Sequence, residues 1–385
     1  MKFILSFFLI LLDLPGFGQS LSGLNFNYWY DPNSELEFVI VPVKPGSQMM
    51  VYYQLVSNRK ENSVDTYSIA WESRENLSER NGEVFNARDS VILKSANSIS
   101  GVLSFPTSSK IGYLLAKITN LATQEVFYFY KTIDMLWPVN NVITVDGVFR
   151  LKGYLSSGTD FSFGINSGKK IYGFLYKKKF SAALPPFAEG GGGDPFLKAD
   201  SVFEWNRNSI PQPTGLYLFQ EDTLSAQGVS FLLMEKNYPR YTRVATLAAP
   251  LIYITTDEEF KQLAEAQSDK TAFDKVILGI TRDKERAKNL MRSYFQRVEM
   301  ANRYFTEYKE GWKTDRGMIY IIYGKPDEVN RTADSEVWFY KNQKTRFVFY
   351  KSGSVFCPEN YKLQRDKQYT QEWFSLVDLW RKSRF

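Results

Sequence analysis

Short runs of alternating apolar and polar residues fill the chain from about Leu21 to Ile133, and turn-forming residues separate them. In "DTYSIAWE", Tyr67, Ile69 and Trp71 share one face of an extended chain, whereas Ser68 falls on the other face. The spacing of the turns is typical of a β-sandwich. The pattern predicts six strands, which are "ELEFVIVPV", "QMMVYYQLV", "DTYSIAWE", "SISGVLSF", "IGYLLAKI" and "EVFYFYKTI".

A second segment with β-type patterning runs from about Trp137 to Ile254. Its predicted strands are "VFRLKGYL", "DFSFGI", "KIYGFLYKKKF", "SVFEW", "GLYLFQ" and "VSFLLMEK". Between them, "ALPPFAEGGGGDPF" predicts a flexible loop. A phosphate-binding loop would need Gly-Lys-Ser/Thr after the glycines, whereas Asp194 and Pro195 follow them here.

The pattern changes to a helical period after Ile254. Thr256 and Glu259 have the spacing of a capping box. The next segment, "DKERAKNLMRSYFQRVEMANRYF", predicts a helix with one apolar face. Three predicted strands follow, "GMIYIIYG", "EVWFYK" and "TRFVFYKSG", and a short hairpin joins the last two. The apolar positions of "WFSLVDLW" predict a C-terminal helix.

The first eighteen residues have the pattern of a secretory signal. Lys2 precedes the apolar run Phe3–Leu12, and the small residues Gly16 and Gly18 fit cleavage before Gln19. The run is too short for a stable transmembrane helix. We therefore expect an exported protein that is periplasmic, associated with the outer membrane or exposed at the cell surface. An uncleaved anchor is the alternative.

Together these patterns predict a mainly β protein with a helical C-terminal part. We expect two β-sandwich domains of the immunoglobulin-like type, followed by an α+β domain with helices on a small antiparallel sheet. The predicted segments are residues 1–18 for the signal peptide, 19–136 and 137–255 for the β domains, and 256–385 for the α+β domain.

Composition excludes several chemistries. The sequence has no histidine and a single cysteine, Cys357. Ser-His-Asp and Cys-His catalysis, zinc sites with histidine ligands and histidine-ligated haem are therefore excluded. An intrachain disulfide is excluded as well. We expect neither a metal nor another cofactor, and no catalytic residue is predicted.

The net charge of +6 is concentrated near the C-terminus. Residues 341–385 contain ten Lys and Arg against four Asp and Glu. Such a segment could contact an acidic partner or the anionic surface of a membrane. A solvated basic face that contacts no partner explains it equally well. Nucleic acid is not expected as a partner, since no nucleic-acid-binding motif is present.

The densest local signal is "GWKTDRGMIYIIYGKPDEV", residues 311–329. Together with "RVEMANRYF", "EVWFY" and "FVFY", it resembles the GWxTD domain of exported bacterial proteins, over about residues 256–350. The resemblance implies an envelope protein with a domain of unassigned biochemical function, and it supplies no catalytic residues. The matching residues, with a structural or an interaction role, are Gly311, Trp312, Thr314, Asp315, Arg316, Gly317, Tyr323, Gly324, Pro326, Asp327 and Trp338.

The residue types of this segment also suggest a structural corner. Gly311 would end the preceding helix with a left-handed backbone. Trp312 would fill the gap between helix and sheet, and its indole N–H would need one partner. Thr314 and Asp315 would bond to nearby backbone N–H groups and fix the turn into the next element.

The second half of the segment allows two interpretations. "GMIYIIYG" is apolar on both faces, so we expect a strand covered on both sides. Pro326 would then fix a turn, and Asp327 would cap a short helical turn. Alternatively, Asp315, Asp327 and Glu328 could form a carboxylate cluster for calcium or for acid–base catalysis.

These observations favour a non-enzymatic component of the cell envelope with a structural, assembly or partner-binding role, acting on an envelope protein. Two alternatives stay open. One is a carboxylate-dependent enzyme acting on cell-surface polymers. The other is a carbohydrate-binding module that uses exposed aromatic residues of the sandwich domains.

Overall fold

The computed structural model describes residues 19–59, 63–84, 88–106, 112–133, 137–190, 197–206 and 213–384. The predicted signal peptide and part of the glycine-rich loop lie outside these residues, so both stay predictions. Among the helices of the described segments, none is both long and apolar enough to cross a membrane.

The first β unit contains two antiparallel four-stranded sheets, with strand orders β1-β2-β6-β5 and β4-β3-β7-β8. Buried side chains from both sheets, among them Leu36, Trp71 and Phe129, form one core between them. All six predicted strands are present, and β4 and β5 were not predicted. The strands are β1 (Leu36–Val43), β2 (Gln48–Ser57), β3 (Tyr67–Arg74), β4 (Glu83–Val84), β5 (Arg88–Lys94), β6 (Ser98–Pro106), β7 (Tyr113–Asn120) and β8 (Val126–Thr132).

The second β unit also packs two sheets face to face. A three-stranded sheet has the order β10-β9-β12, and a five-stranded sheet has the order β11-β16-β15-β13-β14. Ile143 and Phe163 of the small sheet share a core with Phe219 and Phe231 of the larger one. The strands are β9 (Ile143–Val145), β10 (Val148–Arg150), β11 (Tyr154–Ser156), β12 (Ser162–Phe163), β13 (Tyr172–Tyr176), β14 (Ser201–Glu204), β15 (Gly215–Gln220) and β16 (Val229–Met234).

The C-terminal part packs helices against an antiparallel sheet of order β17-β18-β19-β20. The predicted capping box is present, with Thr256 and Glu259 bonded reciprocally. The predicted fold class, mainly β with a C-terminal α+β part, is thus confirmed. The elements are α1 (Val244–Leu247), α2 (Asp257–Ala266), α3 (Lys270–Thr281), α4 (Lys284–Phe305), α5 (Asp315–Tyr323), β17 (Glu328–Arg331), β18 (Ser335–Tyr340), β19 (Thr345–Lys351), β20 (Tyr361–Leu363) and α6 (Thr370–Arg381).

The prediction of a strand for "GMIYIIYG" is wrong, because these residues belong to helix α5. Every residue from Arg316 to Tyr323 is buried. A helix covered on all sides is apolar all round, and periodicity alone does not distinguish such a run from a strand covered on both faces. The expected burial is correct, whereas the expected backbone conformation is not.

The hydrophobic core does not separate the first β unit from the C-terminal part. Phe26, Tyr30 and Tyr130 belong to the same cluster of buried residues as Phe305 of α4 and Trp338 of β18. These contacts fix the N-terminal sandwich against the helices. The predicted domain boundaries stay predictions.

Candidate functional site

The segment Gly311–Gly317 connects α4 to α5, and two glycines set the distance between the two helices. A Cβ atom at Gly311 would lie 2.1 Å from the carbonyl oxygen of Ala301, and one at Gly317 would lie 1.8 Å from the carbonyl oxygen of Gly311. Only glycine fits such approaches of backbone to backbone. The left-handed conformation predicted for Gly311 is wrong, since its φ is not positive, whereas Gly324 has a φ of 87°.

Trp312 fills the space between α4 and the turn before α1, and only 3% of it is exposed. Its backbone N–H donates to Oδ1 of Asn302 at 3.0 Å. Its indole N–H donates to the hydroxyl of Tyr241 at 3.0 Å. The hydroxyl of Tyr253 donates to its carbonyl oxygen at 2.9 Å. The predicted burial and the single partner of the indole N–H are confirmed, whereas the hydrogen-bond partners of Trp312 lie in α4 and around α1 and not in the sheet of β17 to β20.

Thr314 and Asp315 begin helix α5. Oγ1 of Thr314 accepts from the N–H of Gly317 at 3.0 Å, which is the geometry of an N-cap. Asp315 accepts from the N–H of Leu363 at 2.8 Å and from Nη2 of Arg365 at 2.5 Å. A carboxylate at a helix N-terminus is also favoured by the helix dipole. Asp315 therefore connects the start of α5 to β20 and to the segment that follows it.

The other end of α5 is closed by side chains from three elements. Arg297 of α4 and the indole of Trp380 of α6 donate to the carbonyl oxygen of Ile322, at 3.0 and 3.1 Å. The hydroxyl of Tyr340 donates to the carbonyl oxygen of Gly324 at 2.9 Å. Carbonyl groups at the end of a helix have no partner within the helix, so these donors satisfy them.

The three carboxylates proposed as a cluster lie at opposite ends of α5. Asp315 is the first residue of the helix, whereas Asp327 and Glu328 follow it, and nine helical residues span about 13 Å. Asp327 does not cap a helical turn as predicted. Its Oδ2 accepts from the N–H of Lys341 at 2.7 Å and closes the β17–β18 hairpin. Within the described residues, no group of three His, Cys, Asp or Glu could hold a metal ion.

A network of buried charges lies beside the corner. Glu336 is fully buried, and its Oε2 lies 3.0 Å from Nη1 of Arg331 and 3.5 Å from Nη1 of Arg316. Arg316 also forms an ion pair of 2.6 Å with Glu307. Burial raises the pKa of Glu307, and the positive charge of Arg316 opposes this shift.

Trp338 and Tyr323 complete this packing. The indole N–H of Trp338 donates to Oε1 of Glu336 at 2.6 Å, so the tryptophan and the arginines share one carboxylate. The Tyr323 ring lies edge-on to Phe347 with centroids 4.8 Å apart, and Pro326 is buried directly after the helix. The sequence does not reveal this network, since its members are distant along the chain.

A cavity of about 440 Å³ lies where the two β units meet the C-terminal part. Its wall includes Tyr28 of the first unit and Tyr154 of the second, together with Tyr304 of α4 and Glu307 just after that helix. Trp137, in the connection between the β units, contributes a further aromatic face. This junction cavity therefore combines aromatic rings with charged side chains.

A second recess, of about 360 Å³, lies against Trp312. We call it the basic cleft, because its lining includes the consecutive residues Lys177, Lys178 and Lys179 together with Arg240 and other cations. The sequence contained a signal for it in "YKKKF", but nothing in the sequence placed this run next to Trp312.

A sequence model of the GWxTD domain matches residues 215–382. This chain carries a GWxTD domain. The matched range begins at β15, so it includes the last two strands of the five-stranded sheet as well as the helices. Asn302, Tyr241 and Tyr253, which hold Trp312, all lie within the GWxTD domain.

No curated protein sequence matches the chain. Among solved structures, the chain is similar to the crystal structure of DIP-gamma IG1+IG2, at 12% identity. The similarity covers 52% of this chain and 96% of that one, with a TM-score of 0.18. At that TM-score it carries no argument about this protein, and the description of the β units rests on their own sheets.

Half of the cations in the basic segment, residues 341–385, form ion pairs within the fold. Five of its ten cations form ion pairs within the described residues, namely Lys341, Arg365, Lys367, Arg381 and Lys382. Contact of this segment with an anionic membrane stays a prediction.

Proposed function

We propose that this protein is a non-enzymatic component of the cell envelope that acts as a structural, partner-binding scaffold. The observation that carries the proposal is the use of the polar side chains of the GWxTD motif inside the molecule. Thr314 caps α5, Asp315 binds Arg365, and Asp327 closes a hairpin. These three side chains are occupied by hydrogen bonds within the protein, so they hold neighbouring segments in place and are not available to bind or attack a substrate.

The envelope location is supported by the N-terminal sequence pattern, which is typical of export. A scaffold role is also consistent with the core shared by the first β unit and the GWxTD domain, which holds surfaces from both in fixed positions. A partner protein would bind to those surfaces and not to the motif, since Trp312 and Gly317 are buried.

Affinity isolation of the tagged full chain from native membranes tests this function. We expect the chain to sediment with the envelope and to co-isolate one partner in constant proportion after washing. The variant Asp315→Asn in the same strain removes the charge paired with Arg365, and its urea denaturation curve shows whether any loss of the partner follows from unfolding. A chain that stays in the soluble fraction without a stable partner would contradict the proposal.

A second candidate function is carbohydrate binding at the junction cavity, which its lining favours. Aromatic faces such as those of Trp137 and Tyr154 stack on sugar rings, and the volume of about 440 Å³ is in the range of ligand pockets. On a glycan array, Trp137→Ala should abolish any binding, whereas Tyr350→Ala, at an exposed aromatic residue outside the cavity, should preserve it. An array without any positive glycan would exclude this function.

A further inference from the structure

The basic cleft has an excess of positive charge. Six cations and two carboxylates line it, which leaves a net charge of +4. The cations come from three separate parts of the chain: the run after β13, the turn before α1 and the motif itself. The six are Lys177, Lys178, Lys179, Arg240, Arg243 and Lys313, and the carboxylates are Glu235 and Glu310.

Several of these cations already have partners. Arg240 lies 2.8 Å from Glu299, and Lys313 lies 2.8 Å from Glu310, while Arg243 is paired with Glu235. By contrast, the amino groups of Lys177 and Lys179 form no ion pair with the described residues, and both side chains are exposed. These two lysines are therefore free to bind an anion from outside.

The floor of the cleft is apolar. Leu216 and Leu232, which are buried, lie beside Met234 and Trp312 in the lining. Trp312 is only 3% exposed and its indole N–H is bonded to Tyr241, so the tryptophan supports the lining of the cleft and offers a ligand little surface of its own. A ligand that fills this volume needs an apolar group for the floor and negative charge for the rim.

This combination distinguishes between classes of anion. A free phosphate would meet the lysines and leave the apolar floor uncovered. A flat membrane surface would meet the exposed lysines and would not enter the recess. A peptide satisfies both requirements, since one aromatic or aliphatic side chain fits a pocket of about 360 Å³ while neighbouring carboxylates reach the rim.

We propose, on the basis of the partner-binding function above, that the basic cleft binds an acidic segment of the partner protein. One apolar side chain of that segment lies on the floor beside Trp312. Its carboxylates bind Lys177 and Lys179. The GWxTD motif thereby contributes to recognition only by supporting the lining of the cleft through the buried Trp312, and no motif residue takes part in chemistry.

Fluorescence anisotropy of the full chain with a labelled peptide, Asp-Glu-Asp-Phe-Asp-Glu-Asp, tests the proposal. Replacing both free lysines (Lys177→Glu with Lys179→Glu) should weaken binding about tenfold or more. The attraction between the lysines and the peptide carboxylates is lost, and the new glutamates repel those carboxylates. The control Lys261→Glu with Lys288→Glu makes the same change in net charge at exposed lysines outside the cleft. It should change the affinity less than about twofold, since distant surface charges are screened by salt.

Two further probes identify the class of ligand. The peptide with Asn and Gln in place of its acids should not bind, and the peptide with Ser in place of Phe should bind much more weakly. Inorganic phosphate and vesicles of phosphatidylglycerol should compete poorly. Equal affinity of both double variants would overturn the proposal, and so would binding of vesicles without binding of the peptide.

Failure of the cleft proposal can be distinguished from failure of the proposed scaffold function. If the envelope partner co-isolates equally well with the Lys177→Glu, Lys179→Glu chain, the basic cleft is not its binding site, although the scaffold function stands. If no partner co-isolates with the native chain, the scaffold function itself fails.

Discussion

The buried charge network and the basic cleft use the same kinds of side chain in opposite ways. Around Glu336, Arg316 and Arg331 are buried and face a carboxylate within a few ångströms. In the basic cleft, Lys177 and Lys179 are exposed, and their amino groups form no ion pair with the described residues. Both regions include a residue of the GWxTD motif, Arg316 in the network and Trp312 in the lining of the cleft.

The difference is one of free energy. A charge taken out of water costs several kcal/mol unless a partner compensates it, so each charge of the buried network is needed to keep the folded protein stable. A solvated lysine costs little in either state and keeps its charge available. Consequently, damage to the network should appear as lost stability, and damage to the cleft should appear as lost binding.

The largest effect is expected at Gly317, whose absent side chain allows the network and the corner to form. In Gly317→Ala, a Cβ would lie 1.8 Å from the carbonyl oxygen of Gly311, and backbone would have to move. We expect a loss of about 4 kcal/mol or more in the free energy of unfolding. The added Cβ would clash with backbone atoms, and no flexible side chain could move away to relieve the clash. Urea denaturation followed by circular dichroism measures the loss.

The control is Gly279→Ala in α3, where an added Cβ would meet no atom within 4 Å. Alanine there should stabilise the protein by about 0.5–1 kcal/mol, because it lowers the entropy of the unfolded chain in a helix interior. Equal effects of the two alanines would mean that the close approach at Gly317 is not a constraint.

The second effect tests the network directly. Glu336→Gln removes the charge that Arg316 and Arg331 share and should destabilise the protein by about 3 kcal/mol, since the buried Arg331 loses its paired carboxylate while Arg316 keeps only Glu307. The matched control is Glu328→Gln, whose carboxylate is 39% exposed and 3.1 Å from Lys341. Its loss should cost about 0.5 kcal/mol or less. A similar cost for both would remove the contrast between buried and exposed charges.

The third effect depends on pH and concerns Glu359, at the wall of the junction cavity. Burial opposes its charge, but the charges of Lys131 and Arg331 outweigh burial and lower the pKa of Glu359 from 4.5 to about 2. Its contribution to stability is therefore complete above about pH 4.5 and is lost as the pH falls through about 2. Glu359→Gln should cost about 2 kcal/mol at neutral pH, and this difference should shrink in acid.

Glu307, on the same wall, provides a control of opposite sign. Burial raises its pKa despite the Arg316 charge, so the folded protein binds a proton there more tightly than the unfolded chain. Its cost to stability therefore falls as the pH decreases through the folded pKa. At pH 7 the stability of Glu359→Gln should lie below that of the native chain and that of Glu307→Gln above it, and both differences should shrink as the pH falls towards 2. Parallel curves would contradict both assignments.

Local patterns predicted much of the fold. The stripe of Leu290, Tyr294 and Val298 identified α4, and alternation identified strands such as β3. Helix α5 was missed because burial on every side removes the periodicity that distinguishes a helix from a strand. The N-cap at Thr314 was the available local signal for a helix.

The sites could not be predicted to the same extent, because long-range contacts create them. The network joins Tyr30, Glu307 and Glu336, and the cleft joins Lys177, Arg240 and Trp312. A local sequence pattern does not show which residues that are far apart along the chain lie close together in the fold. The motif was correctly interpreted as a structural corner for Trp312 and Thr314, whereas the backbone of Gly311 and the cap at Asp327 were predicted wrongly.

The smallest effect on stability should come from the cleft. Lys177→Glu with Lys179→Glu breaks no ion pair of the described residues, so the free energy of unfolding should change by about 0.5 kcal/mol or less. The control pair, Lys261→Glu with Lys288→Glu, should give the same result in the same urea titration. A loss above about 2 kcal/mol in the cleft variant alone would mean that these lysines, like the arginines around Glu336, serve the fold. If stability is unchanged, lost peptide binding in that variant reports recognition and not unfolding.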